Sequence, residues 1–247
     1  MKTVFVGFDE REPEAYEVCK YSIEQRSHQP VNVFPIKDAN LRQYGIHTRP
    51  WSRTSSGQKI DERDGRPFST EFSFTRFHTL HLAGLLGIDD WVLFCDCDML
   101  FLEDIGELFH IAEWECRDKD YAVMCVKHKY EPTETVKMDN QVQERYARKN
   151  WSSFVLYNTR HPANKLLTVD AVNHEPGSWL HGFRWLRDEH IGALPEEWNW
   201  LEGWSSDTMD PNVVHFTRGG PWFEGWQRVE YGDLWLAEKA QMLGEAN

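Results

Sequence analysis

Residues 91–101 read WVLFCDCDMLF. Apart from Asp96 and Asp98 the stretch is apolar, and it suits a strand buried on both faces of a sheet. Burying an ionised carboxylate without a partner is costly, and two acids separated only by Cys97 also repel each other. Position resolves the conflict. In an open parallel sheet, ligands gather at the carboxyl ends of the strands, and a strand that begins WVLFC delivers both acids there. Alternation along an extended chain would place Asp96 and Asp98 on one face. A divalent cation that prefers oxygen ligands, Mg²⁺ or Mn²⁺, is a natural partner for such a pair and commonly links carboxylates to substrate phosphates.

The flanking sequence supplies the rest of such a sheet. TVFVGFD (3–9) reads as a first buried strand. Ala15, Val18, Cys19 and Ile23 have helical spacing and predict a helix over 12–26, and VNVFPI (31–36) reads as a second strand. A strand, a helix and a strand in succession open a parallel α/β sheet. Residues 37–70 are polar, with few apolar anchors, and are expected to form a loop, a lid over a site or an acceptor loop. TRFHTLHLAGLLG (75–87) predicts a buried helix ended by Gly87. A short helix is expected over 104–112. YAVMCVKH (121–128) and WSSFVLYN (151–158) read as strands, separated by a charged insertion at 129–150. A helix is expected over 161–173 with Pro162 in its first turn, and 182–201 reads as a helix running into a loop. NVVHFTRGGPWF (212–223) gives a last strand and a Gly-Gly-Pro turn, and DLWLAEKAQML (233–243) a closing helix. The expectation is one α/β domain over 1–247 with a mostly parallel central sheet.

Bulk properties narrow the class. The 247 residues, 40% hydrophobic and 14% aromatic, suffice for a sizeable core. No apolar run approaches the ~20 residues of a membrane span. MKTVFVGFDERE lacks the apolar centre of a secretion signal, so a cytoplasmic protein is expected. Five cysteines without regular spacing fit reduced thiols in a core. A net charge of −13 disfavours loose binding to nucleic acid or an acidic membrane. The basic groups Arg42, Arg49, Arg53, Arg63, Arg66 and Lys127, Lys129, Arg145, Arg148, Lys149 keep a nucleic-acid acceptor open. Twelve tryptophans, several of them late in the chain, are core residues or platforms for stacking on a sugar.

Neither a GxxxxGK[ST] loop nor a GxGxxG fingerprint is present. A phosphate would therefore be held by a metal and scattered side chains. His215, at the end of the last expected strand, is a suitable nitrogen ligand, and Gly219-Gly220 would let backbone approach a phosphate.

Taken together, TVFVGFD, TRF (75–77), FCDCDMLFLEDIGELF, WSSFVLYN, LPEEWN and HFTRGGPWF resemble the glycogenin-like, family-8-type glycosyltransferases of the GT-A fold. The resemblance covers most of the chain. It implies a Rossmann-like nucleotide-diphospho-sugar transferase domain and a metal-dependent hexosyl transfer, with retention, from a UDP-sugar to an acceptor hydroxyl. It assigns Asp96, Asp98 and His215 to Mn²⁺ or Mg²⁺. Phe8, Asp9, Arg76, Asp96, Arg218, Gly219 and Gly220 are assigned to the donor, Asp188 to catalysis, and Trp222 and Lys127 to the acceptor. The acceptor is left open among a glycan, a lipid, a protein and a modified nucleobase. Three departures stand out: Ser153 replaces a usual glycine, Gly220 stands where the family carries a lysine before Pro-Trp, and Arg187-Asp188-Glu189 stands where the family carries Asp-Gln. A metal-dependent nucleotidyltransferase and a non-catalytic sugar- or nucleotide-binding module are the rival readings.

Overall fold

The structure is a computed structural model and describes residues 1–129 and 148–245. Strand β1 (Lys2–Gly7) leads into helix α1 (Pro13–Arg26) and returns as β2 (Val31–Ile36), followed by the short α2 (Asp38–Gln43). Three small strands come next, β3 (Trp51–Arg53), β4 (Lys59–Asp61) and β5 (Pro67–Phe68). Helices α3 (Phe72–Thr75) and α4 (Thr79–Leu85), joined by a 3₁₀ turn, precede β6 (Trp91–Cys95) and β7 (Met99–Phe101). Then follow α5 (Ile105–Glu115), β8 (Val123–Val126), β9 (Phe154–Asn158), α6 (Val169–His174), α7 (Gly177–His181), β10 (Ile191–Leu194), β11 (Trp200–Leu201), β12 (Val213–His215) and α8 (Gly232–Leu243).

The main sheet has the order β10-β8-β9-β6-β1-β2. Only β9 runs against the others: β1 is parallel to β2 and β6, and β10 is parallel to β8. Both faces are covered, which is why β1 and β6 are continuously apolar. Val4, Val6, Leu93 and Cys95 pack on one side with Ala15, Cys19 and Phe109 from α1 and α5. Phe5, Val92 and Phe94 pack on the other with Phe77 and Ala83. A small sheet, β11-β12-β7, leans on α1 and α8 through Val18, Leu100, Trp200 and Trp235. No described helix is long and apolar enough to cross a membrane.

Three stretches differ from expectation. Residues 37–70 fold into α2 and the antiparallel sheet β3-β4-β5 instead of a loop. Their anchors are buried charges. Arg49, 1% exposed, binds both carboxylate oxygens of Asp61 at 2.8 and 2.6 Å. It also donates to the carbonyls of Val172 and Glu175 beside α6 and lies over the Phe74 ring. Residues 182–201 do not form a helix. Phe183 adopts a positive φ of 51°, and the chain then extends into β10 at the sheet edge. Gly192 permits this close pairing, since a Cβ there would meet Met124 and Tyr121 at 2.7 Å. The expected 161–173 helix divides into a 3₁₀ turn and α6, whose start is capped by Thr168. The greater part of the expected insertion, 130–147, lies outside the described residues.

Candidate active site

Asp96 and Asp98 do not lie on a strand face as alternation suggested. They occupy the turn between β6 and β7 at the carboxyl edge of the sheet. The turn is held on both sides. The Asp96 N–H donates to the Ser153 carbonyl at 2.9 Å. β7 pairs antiparallel with β12 so that Met99 faces His215, and Phe216 N–H donates to the Asp98 carbonyl at 2.9 Å. This register sets His215 Nε2 3.3 Å from Asp98 Oδ1. One ligand atom from each of Asp96, Asp98 and His215 lies within 4.8 Å of the others.

Arg76 reaches the same point from the turn after α3. Its Nη2 lies 3.1 and 3.3 Å from the two Asp96 carboxylate oxygens, and its other donors hold the Phe72 and Ser152 carbonyls. The guanidinium is thus fixed before any ligand arrives, and it neutralises one of the two acids. The opposite side of His215 is fixed too: Nδ1 lies 2.8 Å from Asn199 Oδ1, and Asn199 Nδ2 donates to Ser153 Oγ at 3.1 Å.

These residues open on a cleft. Its other walls come from residues 64–74, which include β5, from 149–153, and from Gly177, Ser178 and His181. Of the region expected as a lid or acceptor loop, only the end, residues 64 and 66–70, lines the cleft. Lys149, Arg66 and Arg76 line it beside Asp64, Asp96 and Asp98. His181 is held neutral, first by burial and then by the positive charges of Arg76, Lys149 and Arg49. Its Nδ1 lies 2.8 Å from Ser152 Oγ. Lys149, Ser152, Ser178 and His181 were not singled out from the sequence as site residues. Lys149 was visible only as one member of a basic cluster, and the others carried no local signal.

Other expected site residues have different surroundings. Asp9 is fully buried and accepts hydrogen bonds from Arg11 Nε, Arg11 Nη2 and the N–H groups of Arg11 and Glu71. Burial alone would raise its pKa. The Arg11 and Glu71 donors outweigh that and hold the carboxyl below its usual range. Asp9 is not in the cleft lining; it holds Glu71 and orients Arg11, whose Nη2 donates to the Ser69 carbonyl, so the pair ties residues 69–71 to the loop after β1. Phe8 is half-buried at the end of β1, with the Lys37 ammonium 4.1 Å from its ring centre. Asp188 stands on an exposed turn before β10, paired with Arg148, and is not part of the cleft lining. Arg218 forms a two-pronged pair with buried Glu202. Lys127 Nζ donates to the Ile191 carbonyl at 2.6 Å.

Trp222 packs on Phe216 and Trp235 and donates to Glu12 at 3.1 Å. Its ring also explains Gly220: a Cβ at 220 would lie 2.0 Å from Trp222 Cζ3, so a lysine cannot stand there unless the tryptophan moves. Gly219 follows the same turn and donates to the Phe216 carbonyl. Of the late tryptophans, Trp185, Trp198 and Trp200 are buried core residues.

A second Asp/His group lies at the opposite edge of the sheet. Asp120 precedes β8, His190 precedes β10 and His161 follows the reversed β9. Their ligand atoms also lie within 4.8 Å of one another. Here His161 Nδ1 accepts the Ala163 N–H at 3.2 Å, so the ring proton must sit on Nε2, which faces Asp120 Oδ1 at 3.2 Å. A protonated nitrogen offers no lone pair to a cation. The group reads as a structural corner in which His161 caps the 3₁₀ turn at Pro162, with His161 Nε2 and His190 Nδ1 making no hydrogen bond.

No family model matches the sequence. A protein of Arabidopsis thaliana named Protein CDI is 48% identical over 240 residues, covering 95% of this chain and 85% of that one. The chain belongs to the Protein CDI family. Solved structures share the fold of this CDI-family chain at low identity. The bifunctional glycosyltransferase WbbM superposes with a TM-score of 0.61 at 13% identity over 99% of the chain, which spans only 51% of WbbM. The glycosyltransferase GlyE of Streptococcus pneumoniae TIGR4 gives 0.58 at 13% identity, and the chain spans 62% of its length. The galactosyltransferase LgtC, solved with donor and acceptor sugar analogs, gives 0.56 at 12% identity, with 97% of this chain and 95% of that one covered. The CDI-family chain therefore has the GT-A glycosyltransferase fold, a mixed α/β architecture around a mostly parallel sheet.

Proposed function

We propose that this chain is a metal-dependent glycosyltransferase that moves a sugar from a nucleotide diphosphate donor, a UDP-sugar, to an acceptor hydroxyl with retention of configuration. One observation carries the reading. Two carboxylates and an imidazole converge at the carboxyl edge of a GT-A sheet, on a cleft that Arg66, Arg76 and Lys149 also line. The donor set fits Mn²⁺ or Mg²⁺, because hard carboxylate oxygens with one imidazole suit these ions better than thiolate-seeking metals. The same neighbourhood holds only deeply buried thiols, and burial pushes that of Cys97 well above its usual pKa.

Asp96, Asp98 and His215 would hold the ion, which would supply Lewis-acid stabilisation of the leaving diphosphate. The chain's own groups do the rest. Arg76, already oriented on Asp96, adds fixed positive charge where negative charge develops on the leaving group. Lys149 and Arg66 extend that field along the cleft. The 64–74 wall restricts water around the reacting sugar. Glycosyl transfer is supported further by the shared fold with glycosyltransferases such as LgtC. The whole chain, 1–247, is read as one transferase domain.

The test is donor turnover. Purified protein is incubated with Mn²⁺ and a panel of UDP- and GDP-sugars, and free nucleotide is measured with and without EDTA. EDTA-sensitive release of UDP from one donor is the expected result. Release of pyrophosphate from a nucleoside triphosphate would move the protein to the nucleotidyltransferases. If no nucleotide is turned over and none stabilises the protein with metal, the reading is wrong.

A further inference from the structure

We infer that Asn199 is a positioning residue that fixes the tautomer of His215 and so presents its Nε2 lone pair to a divalent cation. The inference rests on the metal reading above and adds a residue to it.

The argument follows the protons. Ser153 Oγ lies 2.7 Å from the Asn150 carbonyl. A carbonyl oxygen can only accept, so the single hydroxyl proton is committed there. The group that approaches Ser153 Oγ from Asn199 must then be a donor, which places Asn199 Nδ2 on that side at 3.1 Å. The amide is planar with its two ends distinct, so Oδ1 faces His215 Nδ1 at 2.8 Å. An amide oxygen cannot donate, and Nδ1 must therefore carry a proton. In the neutral ring that is the only proton. Nε2 is left with its lone pair, directed to the side where Asp98 Oδ1 lies 3.3 Å away. Asn199, Ser153 and His215 are 0, 2 and 1% exposed, so water does not offer these groups other partners.

The same relay joins two of the ligands. Ser153 accepts the Asp96 N–H on its carbonyl while its hydroxyl orders Asn199 behind His215. Ser153, the departure from the resembled family's glycine, thus ties the position of one carboxylate to the orientation of the imidazole. A neutral amide suits this place, because a carboxylate there would add a third negative charge beside Asp96 and Asp98.

Mn²⁺ affinity, read from the loss of the free-ion EPR signal on titration, tests the inference without any turnover. Asn199→Leu keeps the approximate volume and removes the acceptor. It is expected to weaken Mn²⁺ binding about 10- to 100-fold, the range for groups behind a metal-bound histidine. Asn199→Asp keeps an acceptor for Nδ1–H but sets a second acceptor against Ser153 Oγ, and it should lose less affinity than Asn199→Leu. Wild-type affinity in folded Asn199→Leu would overturn the inference. Should Asn199→Leu fail to fold, ¹H–¹⁵N spectra of the imidazoles in the metal-free wild type read the tautomer directly. A proton on Nδ1 of His215 supports the inference and a neutral ring protonated on Nε2 overturns it. If the wild type itself binds no Mn²⁺, the metal reading fails, an outcome separate from wild type binding and Asn199→Leu binding equally well.

Discussion

The two Asp/His groups at opposite edges of the sheet contain similar side chains at similar separations, yet they differ in which ring nitrogen holds a proton. At the carboxyl edge Asn199 accepts from His215 Nδ1 and leaves Nε2 for a cation. At the amino edge the Ala163 N–H donates to His161 Nδ1 and forces the proton onto Nε2. Proximity of ligand-type residues does not distinguish a metal site from a structural corner. The partner on the far nitrogen does.

The comparison is broken most directly at the acids. Asp98→Asn and Asp96→Ala should each reduce donor turnover by at least about 10²-fold, the scale of losing one group that stabilises developing charge, with Mn²⁺ binding lost in parallel. Retained turnover in either variant would remove the carboxyl-edge group from the chemistry. A second variant asks whether the cleft wall can be separated from the site. Arg49→Met strands Asp61 in a buried place, a change that costs roughly 3–5 kcal/mol. A large fall in the thermal midpoint is expected, and a shift of only a degree or two would show that the 37–70 region is held by something else.

A second imidazole pair sharpens the contrast through pH. His47 Nδ1 lies 3.1 Å from His78 Nε2. Burial, and then the charges of His78, Arg42 and Arg49, push His47 from 6.5 down to about 2. Burial, and then His81, push His78 to about 3. The folded rings stay neutral where the unfolded rings take up protons. Their contribution to stability is therefore complete above pH 6.5 and is lost as pH falls from there toward 3. The unfolding free energy should decline by up to about 1.4 kcal/mol per pH unit for each ring. Urea titrations at several pH values should show a shallower slope in His78→Asn. The smallest effect is at the amino edge. His161→Ala removes a helix-turn cap and should cost about 0.5–2 kcal/mol while leaving Mn²⁺ affinity unchanged. A drop in affinity would mean that the two edges are coupled.

What could be seen in the sequence follows the same division. β1 and β6 were legible because strands covered on both faces are apolar throughout, β2 as a short, mainly apolar run after a helix, and helices α1, α5 and α8 because their apolar residues recur at helical spacing. Asp96 and Asp98 stood out by breaking such a run. The fold of 37–70 was illegible because its anchors, Arg49 on Asp61 and Arg11 on the Ser69 carbonyl, are charged residues that hydrophobic pattern assigns to solvent. β10 was missed because IGAL is too short to show a period. Asn199 lay in plain view within LPEEWN, yet its role depends on Ser153, 46 positions away.

The ring of Trp222 fills the space of a side chain at 220. A larger residue at 220 collides with the indole, and loss of the indole abandons Glu12, Phe216 and Trp235. A lysine before Pro-Trp, the pattern of the resembled family, therefore needs the tryptophan in another place than the one it holds here.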